Sequence, residues 1–199
     1  MSGVKLAALY SIKPHQLGFC GPKDDETLLR YLKGKNVSEK KVRKILESFE
    51  GAYPYYQRIA KSNNIKDPFD ERVVRTYWIT LHSFHVLVIG SVTNRIVLKG
   101  KLLDLCRICW GKVIKLKVNL PAGKAGRQKL KVIYQPLVGQ KKLTLGKPIE
   151  KEIDWDKDLL PKIKTGDWVS FHWNQVVEVL KDEDRRNLEK YTKKATNYK

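Results

Sequence analysis

Residues 166–173 read GDWVSFHW, and this stretch decides the fold of the second half of the chain. Apolar side chains alternate with other residues along it, and alternation with a period of two predicts a half-buried strand. One face carries Val169, Phe171 and Trp173, and the other carries Trp168, Ser170 and His172. The apolar run from Val176 to Leu180 predicts that another strand follows directly.

The same alternation extends back to the segment that follows Cys106. From Ile114 to Val118 the apolar residues share one face and the lysines share the other, and the pattern returns between Leu130 and Tyr134. Short strands of this kind, four or five within about 75 residues, cannot form a stable flat sheet, whereas closure into a barrel removes the exposed edges. The last residues, 182–199, have an acidic start and a basic end, which predicts a surface helix or a frayed tail.

The first half of the chain has helical signals instead. Asp24 and Ser38 are placed to cap two helices, and Asp67-Pro68 predicts the cap and first residue of another. Two segments are predicted to be non-helical. Residues 13–22 (KPHQLGFCGP) are typical of a loop, and residues 84–92 (FHVLVIGSV) favour a strand because they are apolar and β-branched.

These patterns together predict an α+β chain with two domains. A mainly helical domain is expected over residues 1–98, and a small OB-like β-barrel with a C-terminal helix over residues 99–199. The chain of 199 residues is 42% hydrophobic and 31% charged, and it has no apolar run of membrane-spanning length. Because it also lacks a secretory pattern and has three cysteines, an odd and low number, we expect a cytoplasmic protein in a reducing compartment.

The charge of the chain is strongly positive and uneven. The formal net charge is +19, and residues 99–142 contribute +11 through twelve basic residues and one acidic residue. Lysines on the solvent-exposed faces of strands explain this excess of positive charge without any functional role. A surface that binds nucleic acid or an acidic protein explains it equally simply, so a basic RNA-binding barrel is an alternative function.

Cysteine and histidine residues supply the candidate sites. Cys106 and Cys109 form a CxxC pair, and a Cys2His2 zinc site becomes possible if His82 and His85 of HSFH join it. Residues three apart in a strand point to opposite faces, however, and paired histidines at the end of an apolar helix usually pack and hydrogen-bond. Cys20 in LGFCGP marks either a tight turn with a small buried thiol or a close approach to a partner.

Enzymatic activity has weaker support in the sequence. We find no GxSxG, P-loop, GxGxxG or HExxH motif. A Cys–His nucleophile pair, Cys20 with His15 or Cys106 with His172, has no recognisable oxyanion donor. We therefore expect a protein that binds rather than catalyses.

Two motifs resemble the HypC/HupF hydrogenase-maturation chaperones over roughly residues 104–195. Residues 106–113, CRICWGKV, resemble the head of that family, in which a cysteine precedes by five residues the glycine that opens the first barrel strand. The segment GDWVSFH, followed by an apolar strand and an acidic turn, resembles the family's second motif. The whole chain also resembles an uncharacterised prokaryotic family with LGFCGP, FEGAYPY, HSFHV, CRICWG and GDWVSFHW.

The HypC resemblance implies a fold and a role. It implies a HypC-like barrel that transiently carries an iron fragment with diatomic ligands and passes it to a metalloenzyme subunit or maturation factor. Cys106 is then the thiolate and His172 its neighbour, and the two must meet at an open rim of the barrel. The family's cysteine is the mature N-terminus, whereas Cys106 is internal and lies near Leu105, Ile108 and Trp110 in the sequence, which favours a place in a core.

Overall fold

A computed structural model describes residues 1–90, 97–117, 127–139 and 142–198. The chain divides into two compact units, a helical unit (Met1–Val97) and a barrel unit (Leu98–Lys199). In the described part of the chain, no helix has both the length and the apolar character needed to cross a bilayer. The α+β class is confirmed, with a helical N-terminal region, a closed barrel and a C-terminal helix.

The helical unit consists of short helices and one longer helical stretch that changes its pitch. The bounds are α1 (Gly3–Gln16), α2 (Asp25–Leu32), α3 (Glu39–Glu47), α4 (Tyr53–Ser62), α5 (Glu71–Arg75), a π-helical segment (Thr76–Leu81), α6 (His82–Phe84) and a second π-helical segment (His85–Ile89). The side chains of Asp24 and Ser38 accept hydrogen bonds from backbone N–H groups in the first turns of α2 and α3, which confirms both predicted caps.

Three local predictions in this unit are wrong, and tertiary packing explains each. Helix α1 continues through Pro14, because it is buried on nearly all sides and packing outweighs the lost backbone hydrogen bond. Asp70, not Asp67, caps the helix that begins at Glu71. Residues 84–89 are helical rather than extended, since a short apolar run does not distinguish a buried helix from a strand. Residues 91–92 of that predicted strand lie outside the described residues.

Aromatic rings fill the core of the helical unit. Trp78 is fully buried, stacks on Tyr10 with ring centroids 4.9 Å apart, and donates from its indole N–H to the Tyr56 hydroxyl at 2.6 Å. Tyr77 packs edge-on against both Tyr56 and Trp78. The stretch that begins at Glu71 therefore supplies the centre of this unit, which is why its apolar residues remain helical.

The barrel unit begins with α7 (Lys101–Cys106) and ends with α8 (Asp182–Thr196). Its strands are β1 (Cys109–Lys117), β2 (Arg127–Tyr134), β3 (Leu137–Val138), β4 (Thr144–Leu145), β5 (Ile149–Asp156), β6 (Trp168–His172) and β7 (Gln175–Val179). Five of them close into a barrel in the order β1-β2-β5-β7-β6, and β6 pairs back on β1. Strands β3 and β4 form a separate hairpin.

The predicted alternation is confirmed in β2 and β6 but not throughout β1. A bulge between Val113 and Lys115 places Val113 in the barrel core instead of Ile114, and Val118 lies outside the described residues. Val169 and Phe171 of β6 lie in a core that β1, β2 and β5 also fill, and Leu130 and Ile153 are fully buried there. The register pairs Cys109 with Phe171 and Trp110 with Ser170, so that interior and exterior residues alternate along both strands. Trp168, Ser170 and His172 consequently belong to the outer face of β6.

The outer face of β6 is covered rather than solvated. Ser170 and His172 are buried, and the predicted C-terminal helix α8 has Leu188, Thr192 and Ala195 on its buried side. Arg185 of α8 lies over the ring of Trp168, with its guanidinium carbon 5.2 Å from the ring centroid. Helix α8 is therefore a packed element and not a frayed tail.

The barrel core predicts a sharp contrast between two positions of β2. We expect Leu130→Ala to lower the free energy of unfolding by about 2–5 kcal/mol, because it leaves a cavity in a fully buried position. Ile133→Ala, on the exposed side of the same strand, is the matched control and should cost about 0.5 kcal/mol or less. Urea denaturation measures both; equal losses would contradict this description of the barrel interior.

Candidate metal centre

The barrel unit brings Cys106 and His172 together. The sulfur of Cys106 and a ring nitrogen of His172 lie within 4.8 Å of each other, and each residue is 1% exposed. The thiol and imidazole of the two resembling motifs therefore meet, as the HypC resemblance requires. They do not meet at an open rim, because both are buried.

A backbone hydrogen bond aligns the two segments that carry this pair. The N–H of Trp173 donates to the carbonyl of Leu105 at 2.9 Å. Leu105 directly precedes Cys106, and Trp173 directly follows His172. The last turn of α7 is thus fixed to the end of β6, and this contact sets the distance between thiol and imidazole.

A tight turn holds His172 at the end of its strand. Trp173 and Asn174 form the two-residue connection between β6 and β7, and both have positive φ angles, 52° and 60°. Positive φ at both positions is the type I′ hairpin turn, which strongly favours Asn-Gly. A bulky residue such as Trp173 is strained there, and strain of this kind clusters at functional sites. The carbonyl of Asn174 accepts from the N–H of Asp154 at 2.7 Å, which secures the turn.

The carboxylate of Asp104 anchors α7 to the barrel. It accepts hydrogen bonds from the Nε of Arg107 at 3.0 Å, from the N–H of Leu137 at 3.0 Å and from the hydroxyl of Tyr134 at 3.1 Å. Arg107 is itself buried, donates to the carbonyl of Gln135 at 2.6 Å, and completes the ion pair with Asp104. Three partners of the Asp104 carboxylate, Arg107, Leu137 and Tyr134, thus fix the helix that ends at Cys106.

Cys109 occupies a different environment from Cys106. It lies in the barrel core and donates from its thiol to the carbonyl of Asp104 at 3.2 Å. Burial raises the pKa of the Cys109 thiol to about 12. Because Cys109 faces the interior and His172 the outer face, the CxxC pair does not present two thiols to one imidazole.

His82 and His85 lie in the aromatic core of the helical unit. Their Nδ1 atoms are 3.5 Å and 3.4 Å from the hydroxyl of Tyr77, and the ring of His85 is 4.1 Å from that of Tyr55. Burial lowers the pKa of His85 to about 4, so its imidazole is neutral at physiological pH. Within this unit both histidines pack against aromatic rings.

Cys20 is half-buried in the loop after α1 and lines a small cleft with Phe49 and Lys23. Burial raises the pKa of its thiol to about 12, so the thiol is protonated and a poor nucleophile at neutral pH. Gly21 has φ +135°, and a Cβ there would lie 2.7 Å from the Cβ of His15. The close approach that this glycine permits is therefore to α1 of the same unit.

Sequence reasoning missed two determinants of the site, Asp104 and the Trp173-Asn174 turn. A signal for Asp104 existed, because it is the single acidic residue between Lys99 and Lys142. The two-residue spacing between the last strands also indicated a hairpin, but Trp-Asn is not a favoured turn sequence.

Comparison with known protein families identifies the family to which the chain belongs. A model of a family of unknown function, DUF6390, matches residues 1–82 and 79–198. The chain belongs to DUF6390. This membership agrees with the whole-chain resemblance to an uncharacterised family, and no link between DUF6390 and the HypC/HupF chaperones is shown. No curated protein and no solved structure matches the chain.

The contacts of Asp104 lead to a stability prediction for this DUF6390 protein. We expect Asp104→Ala to lower the free energy of unfolding by about 3–5 kcal/mol, because it leaves the buried Arg107 guanidinium without its counter-ion. The double variant Asp104→Ala/Arg107→Met should recover part of that loss, since it removes the uncompensated charge. Urea denaturation of both variants measures the effect. A single variant that loses less than about 1 kcal/mol would show that Asp104 does not anchor α7.

The buried His85 predicts acid sensitivity in the helical unit. Its folded pKa of about 4 is below the ordinary value of 6.5, so protonation favours the unfolded state. The stabilisation is complete above pH 6.5 and is lost as the pH falls towards 4, by up to about 3 kcal/mol. Urea midpoints at pH 7 and pH 5 should differ less in His85→Gln than in the wild type. An identical pH dependence in both proteins would exclude His85 as the cause.

Proposed function

We propose that this protein is a non-enzymatic, HypC-like chaperone whose barrel unit holds a metal fragment through Cys106 and His172. The observation that carries the proposal is the approach of the Cys106 sulfur and a His172 nitrogen to within 4.8 Å. The cargo would then pass to a metalloenzyme subunit or a maturation factor, as the HypC resemblance implies for nickel–iron hydrogenase maturation.

The chemistry of the two donors fits such a cargo. A thiolate is a soft ligand that suits iron and zinc, and an imidazole suits the same metals. A structural zinc site normally has four protein ligands, whereas a site that must accept other groups keeps positions open. Cys106 and His172 supply two donors, which leaves positions for ligands that an iron fragment brings with it. The two donors are therefore of the kind that an iron fragment with ligands of its own can bind.

The architecture of the barrel unit also supports this proposal. A closed five-stranded barrel that is followed in the chain by a C-terminal helix, α8, is what the resemblance to HypC implies. The turn at Trp173 and Asn174 has the strain that accompanies functional positions, and it immediately follows His172. The resembling segments contribute one donor each, Cys106 from the first and His172 from the second.

Burial imposes a condition on loading. Both side chains are 1% exposed, so a metal fragment reaches them only when the surrounding structure opens locally. Helix α7 is six residues long, and an isolated helix of that length has little stability of its own. We expect loading to be slow compared with diffusion, and faster in variants that weaken the anchor at Asp104.

The alternative of a nucleic-acid-binding barrel has less support. OB barrels bind oligonucleotides on the face of their second and third strands, which correspond here to β2 and β5. Lys129 pairs with Asp154 at 2.6 Å and Lys131 with Glu150 at 2.8 Å across those strands. Acidic residues of β5 thus form ion pairs with two of the lysines that the sequence pattern predicts to bind a polyanion.

Cobalt binding tests the proposal, because thiolate ligation gives Co²⁺ a charge-transfer absorption band. We expect the full-length wild type, reduced and free of metal, to develop this band on titration with Co²⁺. Cys106→Ser should abolish it, and His172→Gln should weaken binding about 10-fold or more, by analogy with the 10–100-fold losses seen for residues around metal sites. Cys20→Ser and His15→Gln, which remove the same chemical groups elsewhere, are the matched controls and should bind as the wild type does.

Two results would contradict the proposal. One is a wild type that gives no thiolate–cobalt band and contains no iron or zinc after purification without oxygen. The other is a band that survives in Cys106→Ser. Circular dichroism of each variant separates loss of a ligand from loss of the fold.

A further inference from the structure

The positive charge of the helical unit is concentrated in one corner. Residues 1–97 contain 16 basic and 9 acidic residues, a net charge of +7. Residues 30–44 contain seven basic residues and one acidic residue, a net charge of +6. This segment includes the end of α2, the connection, and most of α3, and we refer to it as the α2–α3 corner. Nearly all the excess charge of the unit therefore lies within 15 consecutive residues.

Most of these cations are exposed at the surface of the corner. The exposed residues are Arg30, Lys33, Lys35, Lys40, Lys41 and Lys44. The buried residues of α3 are Val42 and Leu46, which face the core of the unit. The lysines of α3 thus lie on the solvent-exposed side of the helix. Packing of its apolar side against the core holds the helix in place.

One cation of the corner has a structural role that distinguishes it from the others. Arg43 donates two hydrogen bonds to Asp67, at 2.8 Å and 2.9 Å, and one to Glu39 at 3.0 Å. Its guanidinium carbon also lies 5.2 Å from the centroid of the Phe69 ring. These carboxylates raise the pKa of Arg43 above its ordinary value. Arg43 therefore fixes α3 to the segment before α5. It also forms an ion pair with Glu39, which is the single acidic residue of the corner.

Five other cations of the corner have exposed side chains that an external anion can reach. Within residues 1–90, 97–117, 127–139 and 142–198, no ion pair within 4.0 Å is formed by Arg30, Lys35, Lys40, Lys41 or Lys44, although Lys41 and Arg30 act at longer range on the carboxylate of Asp24. Lys40 and Lys44 are four residues apart on one helix, where like charges destabilise the helix. An anion that binds both lysines relieves this repulsion.

We infer that the α2–α3 corner binds the phosphate backbone of nucleic acid. Lys40 and Lys44 are separated by ~6 Å along the axis of α3, close to the rise of two nucleotides along one strand of a duplex, ~3.4 Å each. Contacts of lysines with phosphates position a protein on nucleic acid without reading its sequence. The corner therefore provides sequence-independent binding, which is separate from the metal chemistry of Cys106 and His172.

Features of the corner disfavour the two other polyanionic partners. Insertion into a membrane surface needs exposed apolar side chains, and the large hydrophobic residues exposed in the described part of the chain lie outside residues 30–44. Tight protein interfaces depend on buried aromatic or apolar anchors, and the exposed side chains here are polar or charged, most of them cationic. A partner recognised by charge alone fits this surface, and a phosphate backbone is the densest regular array of such charge.

Fluorescence anisotropy with a short labelled DNA duplex, and with an RNA duplex of the same length, tests this inference on the full-length protein. The triple variant Lys40→Gln/Lys41→Gln/Lys44→Gln should bind at least about 10-fold more weakly at low salt. The slope of log affinity against log salt should fall by about 2.7, roughly 0.9 for each lost phosphate contact. Lys5→Gln/Lys61→Gln/Lys66→Gln removes the same charge from exposed lysines elsewhere in the helical unit and should stay within about 2-fold of the wild type.

Further variants make the outcome decisive. Lys40→Arg/Lys41→Arg/Lys44→Arg keeps the charge and should bind as the wild type does, and Cys106→Ser should bind nucleic acid normally even though it fails to bind cobalt. Equal losses in the two glutamine triple variants would overturn the inference, because the effect would then come from net charge. No binding to either duplex at low salt would overturn it as well, as would tighter binding to poly-glutamate or to vesicles of anionic lipid.

Discussion

The buried ion pair between Asp104 and Arg107 is the interaction on which the candidate metal centre depends. Two neighbouring charges in a low-dielectric environment are stable only as a pair, so Arg107 fixes Asp104, and Asp104 in turn holds Leu137 and Tyr134. This network attaches a helix of six residues to the barrel. A helix this short has little stability of its own, so it depends on this network together with the backbone hydrogen bond from Trp173 to Leu105.

The anchored helix and the closed barrel together explain how two distant residues become neighbours. Closure of β6 on β1 fixes the register that places His172 on the outer face, at the end of its strand. The hydrogen bond from Trp173 to Leu105 then joins the strand end to the helix end. Cys106 and His172 are 66 positions apart in the chain, yet each directly neighbours one residue of this bond. The pair is thus a product of the fold, and its burial means that any exchange of metal must be coupled to local opening.

Sequence patterns predicted those parts of the molecule in which local and tertiary preferences agree. The alternation in GDWVSFHW identified the barrel and the outward position of His172, and Asp24 and Ser38 identified two helix caps. Predictions were wrong where packing decides. Residues 84–89 have the composition of a strand but continue a buried helix, and Asp67 has the appearance of a cap but binds Arg43. The role of Asp104 was not visible, because its partners come from segments 3 to 33 residues away. In the same way, Lys129 and Lys131 of β2, which look available in the sequence, are paired with acidic residues of β5.

X-ray absorption spectroscopy at the zinc edge, on full-length protein loaded with Zn²⁺, examines the central claim most directly, because it identifies the atoms bound to the metal. The account predicts a sulfur neighbour at about 2.3 Å together with imidazole nitrogen at about 2.0–2.1 Å. It also predicts that the sulfur disappears from the spectrum of Cys106→Ser and remains in that of Cys20→Ser. A first shell of oxygen and nitrogen alone in the wild type, or sulfur that persists without Cys106, would contradict it.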